Sequence, residues 1–245
     1  MSESYKLKKL KGKDVFTFLS DNRGSIDDYF WEYYKNFTTK EIEDYTRNIC
    51  SFAKFKGKLL SIGCGHGLNE IFIADMCKDV EIIEGLDIIE DKIHSMNAIT
   101  DLLGFKNIIG MLGNGTKLEF PDQNYDFVIM IESLSHVSDQ FLTLKEAVRV
   151  LKPDGQIFVL DFNNGANPRV LYKCWKENKF EGIEENPVNP YMVQNRLRYL
   201  GIPNITILPY KFTPFFTKYG NKLLPKTPIW FQLLWSRGFM LKGKK

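Results

Sequence analysis

LLSIGCGHGLNE, residues 59–70, decides how this chain is read. Three glycines, Gly63, Gly65 and Gly67, stand at alternate positions. An apolar run that reads as a buried strand precedes them, and a helix-like run follows. Glycine lets a ligand approach the backbone closely, and the free N–H groups of the following helix suit an anion. Alone, such a turn holds a phosphate, a nucleoside or nothing.

Outward from the turn, strand and helix patterns alternate. EIIEGLDI reads as a strand, DKIHSMNAITDLLG as a helix stopped at Gly104, NIIGMLG as a strand and YDFVIMIES as a strongly apolar strand. DQFLTLKEAVRVL carries Phe141, Leu144, Val148 and Leu151 on one stripe. LKPDG reads as a helix stop and turn, and QIFVLDF as the next strand. This rhythm implies a parallel sheet with helices on both faces. Later, NPYMVQNRLRYLG reads as a helix, and ITILPYKF and GFMLKGKK as strands. Upstream, residues 1 to 24 are polar and basic and are expected to be a loose arm. Ser25 is expected to cap the next helix, and Ile42, Tyr45, Ile49 and Phe52 mark another over 39–55. The expected organisation is an arm and helical cap over 1–56 and an α/β core over 57–245, with a lid insertion at 211–236.

Asp87, in EGLDI, is the second signal. An acid at the end of the second strand, about 20 residues past the glycines, accepts from ribose hydroxyls. Ile88 follows and is placed to lie against a flat base. Dinucleotide turns prefer G-x-G-x-x-G, but the third residue after Gly65 is Leu68. The broad turn suits an amino-acid moiety instead, which turns the comparison toward S-adenosylmethionine.

The four blocks LLSIGCGHG, GLDI, GNGTKLEFPDQNYDFVIMIESLSHVSD and EAVRVLKPDGQIFVLDF, in that order, resemble the class I S-adenosylmethionine-dependent methyltransferases, in particular the small-molecule (type 11-like) group. The resemblance covers about residues 55 to 165. It implies a Rossmann-like, seven-stranded, mostly parallel sheet and the cofactor S-adenosyl-L-methionine, released as S-adenosyl-L-homocysteine. Gly63, Cys64 and Gly65 would line its methionine part. Asp87 would take the ribose hydroxyls, Ile88 would pack on adenine, and Asn114 and Gly115 would meet the adenine edge. Glu132 would lie near the methionine group. Two residues depart from the family pattern. Asn114 replaces an Asp, although its amide oxygen still accepts. Ser61 replaces the acid two places before the first glycine, which implies a weaker grip on the methionine end.

Methyl transfer from a sulfonium is an in-line displacement that needs the acceptor held close and aligned. A hydroxyl acceptor also loses a proton, and His136, just past the fourth strand, is the candidate base. Asp161, ending the fifth strand, would orient it or bind the acceptor. The pair resembles the His and Asp of some sugar O-methyltransferases, so O-methylation of a sugar or glycan precursor leads. N-methylation of a small amine, methylation of a lipid or quinone at a membrane, and a non-catalytic binding module remain open. His66 is expected to face solvent or cofactor and His94 the surface. Tyr29, Tyr33 and Trp230 are candidate acceptor contacts. The aromatic and basic residues of 211–236 form a lid or touch a membrane.

The net charge of +3 and the lack of a base-methylation tetrapeptide argue against nucleic acid. The N-terminus lacks the apolar run of a secretory signal. The four cysteines lack zinc-like spacing and point to a reducing, cytoplasmic setting with no metal. The expected partner is a small-molecule acceptor, with the chain a monomer or homodimer.

Overall fold

The computed structural model describes residues 15–21, 23–35, 38–162, 164–176, 186–212 and 227–245. Its seven strands are β1 (Gly57–Ile62), β2 (Val80–Asp87), β3 (Ile108–Leu112), β4 (Tyr125–Ile131), β5 (Leu151–Asp161), β6 (Asn204–Phe212) and β7 (Ser236–Lys244). They form one sheet in the order β3-β2-β1-β4-β5-β7-β6. β1, β2 and β3 pair in parallel, and β7 runs antiparallel to both β5 and β6. This is the seven-stranded Rossmann-like sheet that the resemblance implies, made mixed by the antiparallel β7. The chain divides into two compact units, one of residues 1–115 and 124–128, the other of 116–123 and 129–245.

In the first unit, α1 (Val15–Ser20), α2 (Asp28–Tyr34) and α3 (Thr39–Ala53) precede the sheet. Residues 15–20 of the expected loose arm are helical instead, with apolar Val15 and Leu19 buried, and residues 1–14 lie outside the described residues. The cap of α2 is Asp27, not Ser25, which lies in a short 3-10 turn. Asp27 has the extended backbone and the side-chain oxygen for the Phe30 N–H that a cap needs. Thr38 and Glu41 close a reciprocal capping box on α3. The buried stripe of α3 is Ile42, Thr46, Ile49 and Ala53, turned slightly from the expected one. α4 (Leu68–Met76) follows the glycine turn, and α5 (Glu90–Leu103) ends on left-handed Gly104 as expected.

In the second unit, α6 (Gln140–Val150) buries Leu144 and Val148, while Phe141 is half-buried. LKPDG belongs to the start of β5 rather than to a separate turn, with Asp154 supplying a left-handed bend. α7 (Pro168–Lys176) was not legible in the sequence pattern. α8 (Pro190–Tyr199) and α9 (Ile229–Leu233) complete the unit. The expected lid falls mostly on 213–226, outside the described residues.

The loop after β5 is tied down by buried amides. Asn164 Nδ2 donates to Leu233 O, Ser236 O and Ser236 Oγ, and Asn167 Nδ2 donates to Ser236 O. All three residues are fully buried. An orphaned buried acceptor costs about 1–3 kcal/mol. Asn164→Ala is therefore expected to destabilise by about 2 kcal/mol, lowering Tm by several degrees in thermal denaturation. An unchanged Tm would contradict this role.

Candidate functional site

The glycine turn is built as a cradle. Gly63, Gly65 and Gly67 all have positive φ, at 73°, 55° and 76°. A Cβ on Gly67 would sit 2.5 Å from Met96 Cγ, so the turn tolerates no side chain there. A Cβ on Gly65 would meet nothing within 4 Å. Gly65 is bare toward open space, as a close-approach surface for a ligand requires. Gly63 N–H and Cys64 N–H donate to Leu86 O, which fastens the turn to β2.

Asp87 ends β2 beside that turn. Its Oδ2 accepts from Gly65 N–H at 2.9 Å and its Oδ1 from Ile89 N–H at 3.0 Å. A carboxylate has about four lone-pair sites, so these two bonds orient Asp87 and leave capacity for two hydroxyls. Asp87 pairs with Leu112 across the sheet. The next residue, Ile88, is 69% exposed, and Leu112 is exposed too. Two apolar side chains thus stand open at neighbouring strand ends, where a flat base could be covered. Asn114 is exposed and Gly115 buried in the segment after β3. These residues fit S-adenosyl-L-methionine: a bare turn for the amino-acid part, an oriented carboxylate for the ribose and apolar flanks for the adenine.

His66 departs from expectation. It is only 4% exposed and turns inward, with Nε2 3.0 Å from Asp27 Oδ2. Phe30 of α2 packs edge-on against its ring. Burial holds its pKa below the ordinary value, against the pull of Asp27. Burial also opposes the Asp27 charge, but hydrogen bonds from Ser95 and from Phe30 N–H, with His66 nearby, keep that carboxyl below its usual range. The two shifts do not describe an ion pair. A neutral imidazole donating from Nε2 to an ionised Asp27 satisfies both.

Beneath the turn lies a residue that sequence reasoning missed. Glu70, in the first turn of α4, is 1% exposed, and its Oε1 accepts from Ser61 Oγ at 2.6 Å. Its Oε2 has no hydrogen-bond partner among the described residues. Burial pushes its pKa up to about 7, with Asp87 adding to the rise and Ser61 opposing it. The available signal was an acid inside LNEIFI, where its neighbours Leu68, Ile71, Phe72 and Ile73 are all buried. Cys64 is likewise buried, and its thiol is pushed up by burial, Glu70 and Asp87.

Most of the acceptor candidates lie in the second unit, with Tyr29 and Tyr33 in the first. His136 is exposed in a 3-10 turn over Leu134–His136. Asp161 is buried, and its Oδ2 accepts from Ser135 N–H at 3.0 Å. That bond goes to the backbone one residue before His136, not to the imidazole. Asn186 N–H donates to Ser135 O, bracing the same turn. Glu132 sits half-buried at φ 54°, a left-handed backbone uncommon for a side chain of its kind. Trp230 is exposed on α9. Tyr29 and Tyr33 lie on α2, but their side chains fall outside the described residues. Exposed His94 stands on α5 as expected. Among the described residues no group of three or more His, Cys, Asp or Glu could hold a metal ion.

A family model described as a methyltransferase domain matches residues 53–208. The demethylmenaquinone methyltransferase of Bacillus licheniformis is 31% identical over 50% of this chain and 51% of its own. The fatty-acid O-methyltransferase of Mycolicibacterium smegmatis is 32% identical over 51% of this chain and 43% of its own. The chain thus spans about half the length, or less, of the curated relatives it matches. A SAM-dependent methyltransferase structure from Archaeoglobus fulgidus superposes with a TM-score of 0.65 at 18% identity, covering 89% of this chain and 100% of that one.

The raised Glu70 pKa has a stability consequence. Between the ordinary value of 4.5 and about 7, the folded chain binds a proton that the unfolded chain has lost. Native stability therefore falls as pH rises through that window and stays lowered above it. Glu70→Gln removes the effect. Chemical denaturation should find the variant gaining on the wild type between pH 5 and pH 8. A difference independent of pH would contradict the shift.

Proposed function

The chain belongs to the methyltransferase-domain family, whose methyl donor is S-adenosyl-L-methionine, and on that premise we propose that it methylates a small acceptor with an apolar body, met at a membrane surface. When bound, the donor supplies an electrophilic methyl group on a sulfonium. The protein's part is to hold the donor on the glycine turn and Asp87, and to align the acceptor. For a hydroxyl acceptor, His136 is the base that takes the proton as the oxygen bonds to carbon. Asp161 acts through Ser135 N–H, fixing the turn that carries His136.

One observation carries the choice of acceptor. The second unit exposes Leu171, Tyr172 and Trp175 on α7, and Ile229 and Trp230 on α9. Tyr172 and Trp175 stack at 5.8 Å, and Arg169 of α7 lies over the Trp235 ring just past α9, so the two helices are neighbours. Lys173 and Lys176 close the last turn of α7. Aromatic rings beside basic residues suit the interface of an anionic bilayer. No helix among the described residues is long and apolar enough to cross a membrane, so the contact would be peripheral. The relatives named for demethylmenaquinone and fatty acids agree with an acceptor of this class. A sugar or glycan precursor, the reading from the His136 loop, would need no such face.

Vesicles containing phosphatidylglycerol should sediment the protein at low salt. A Trp175→Ala, Trp230→Ala double variant should remain in the supernatant. If the wild type remains there too, and methylates a soluble sugar, the apolar acceptor is wrong. His136→Ala should lower turnover by roughly 10² or more without changing donor affinity. A drop of only a few-fold would remove His136 as base and favour an amine acceptor. Asp87→Ala should weaken donor binding by more than about tenfold, since a hydrogen bond to a charged group is worth about 1.5–3 kcal/mol. Unchanged affinity in calorimetry would end its ribose role.

A further inference from the structure

Glu70 is a buried ionisable group that the reaction, as derived above, leaves unused. Its surroundings are apolar along α4, and one oxygen is held by Ser61 Oγ while Oε2 is unpartnered among the described residues. A buried acceptor without a donor costs stability, and a buried acid costs more. Ser61 lies two residues before Gly63, so the carboxyl sits under the bare turn rather than in a remote part of the core. Asp87 is close enough to raise the pKa of Glu70, and both carboxyl groups raise that of Cys64.

We propose that Glu70 is the positioning carboxylate of the glycine turn, its buried charge drawing the cationic amino-acid end of S-adenosyl-L-methionine onto the turn from beneath. This rests on the cofactor reading above and deepens it. The ligand end it selects is an ammonium, with the sulfonium adding a second positive charge. Glu70 is buried, so it acts through its charge from beneath the turn rather than by touching the ligand. The hydroxyl of Ser61 keeps the carboxylate turned and costs no second charge.

Proton linkage follows. Burial places Glu70 near half-protonation at about pH 7, whereas a cation beside it stabilises the carboxylate. Binding therefore expels a proton below pH 7, and affinity should fall up to about tenfold per pH unit there. The other groups around the turn do not mimic this. Burial keeps the pKa of His66 below its ordinary value and that of the Cys64 thiol well above it, so both shift away from the window in which Glu70 releases its proton. Lys92 lies near enough to act on Cys64 and His66.

Calorimetric titration of the whole chain between pH 6 and pH 8, in two buffers of different ionisation enthalpy, tests this with two probes. S-adenosyl-L-methionine carries the cationic end. 5′-Methylthioadenosine shares the nucleoside and lacks that end. The proposal expects proton release with the first probe only, growing below pH 7. Glu70→Gln, which keeps the side-chain shape, should bind the first probe about tenfold or more weakly at pH 8, without proton release, and the second unchanged. Binding of S-adenosyl-L-methionine with no proton release, and equal affinity in the variant, overturns Glu70's role and leaves the cofactor reading standing. No binding of either probe overturns both. If the variant does not fold, proton release by the wild type decides alone.

Discussion

The hydrogen bond from Gly65 N–H to Asp87 Oδ2 is the constraint on which the candidate site depends. It joins the bare turn after β1 to the acid at the end of β2. The strands are already in register, with Ile62 opposite Leu86, so the bond is short-range in space though long in sequence. A charge-assisted bond of this kind is worth about 1.5–3 kcal/mol. It also sets direction. The carboxylate is turned with one oxygen to the turn and the other to Ile89 N–H, leaving its outer lone pairs for a ligand. Without it the glycines, each free to adopt many conformations, would not hold one cradle.

Two further interactions set that cradle between supports. On one side, Asp27 caps α2, accepts from Ser95 and receives the His66 imidazole, so the N-terminal helices are tied directly to the glycine turn. A cap residue that also anchors a tertiary contact links formation of α2 to formation of the turn. Below, Glu70 and Ser61 place a carboxyl where the strand's own side chain is a hydroxyl. The family acid expected at Ser61 is missing, and the carboxyl beside that hydroxyl comes from the next helix, nine positions on.

The parallel half of the sheet was legible because its strands are buried runs and its helices end on recognisable stops such as Gly104. The glycines were legible because a left-handed turn restricts which residues can stand there, and Asp87 because it ends the next strand about 20 residues on. What escaped notice depended on long-range contacts. His66 gives no local sign that it turns inward, since its partner lies 39 positions away. Asp27 displaced Ser25 as a cap because the tertiary contacts of its carboxylate favour it. α7 was missed because its buried residues are few, Val170 and Cys174, while Leu171, Tyr172 and Trp175 face outward against the usual pattern. Asp161 ends β5, and His136 lies past β4 in a 3-10 turn, the places read for them from the sequence. The short step through Ser135 N–H that separates them is a matter of side-chain direction, which spacing does not encode.

A crystal structure of the chain with S-adenosyl-L-homocysteine tests the central claim most directly. The account predicts the ribose hydroxyls on the Asp87 carboxylate, the adenine between Ile88 and the Leu112 strand end, and the amino-acid tail over Gly63–Gly67. A nucleoside bound elsewhere, with Asp87 facing solvent, would contradict it.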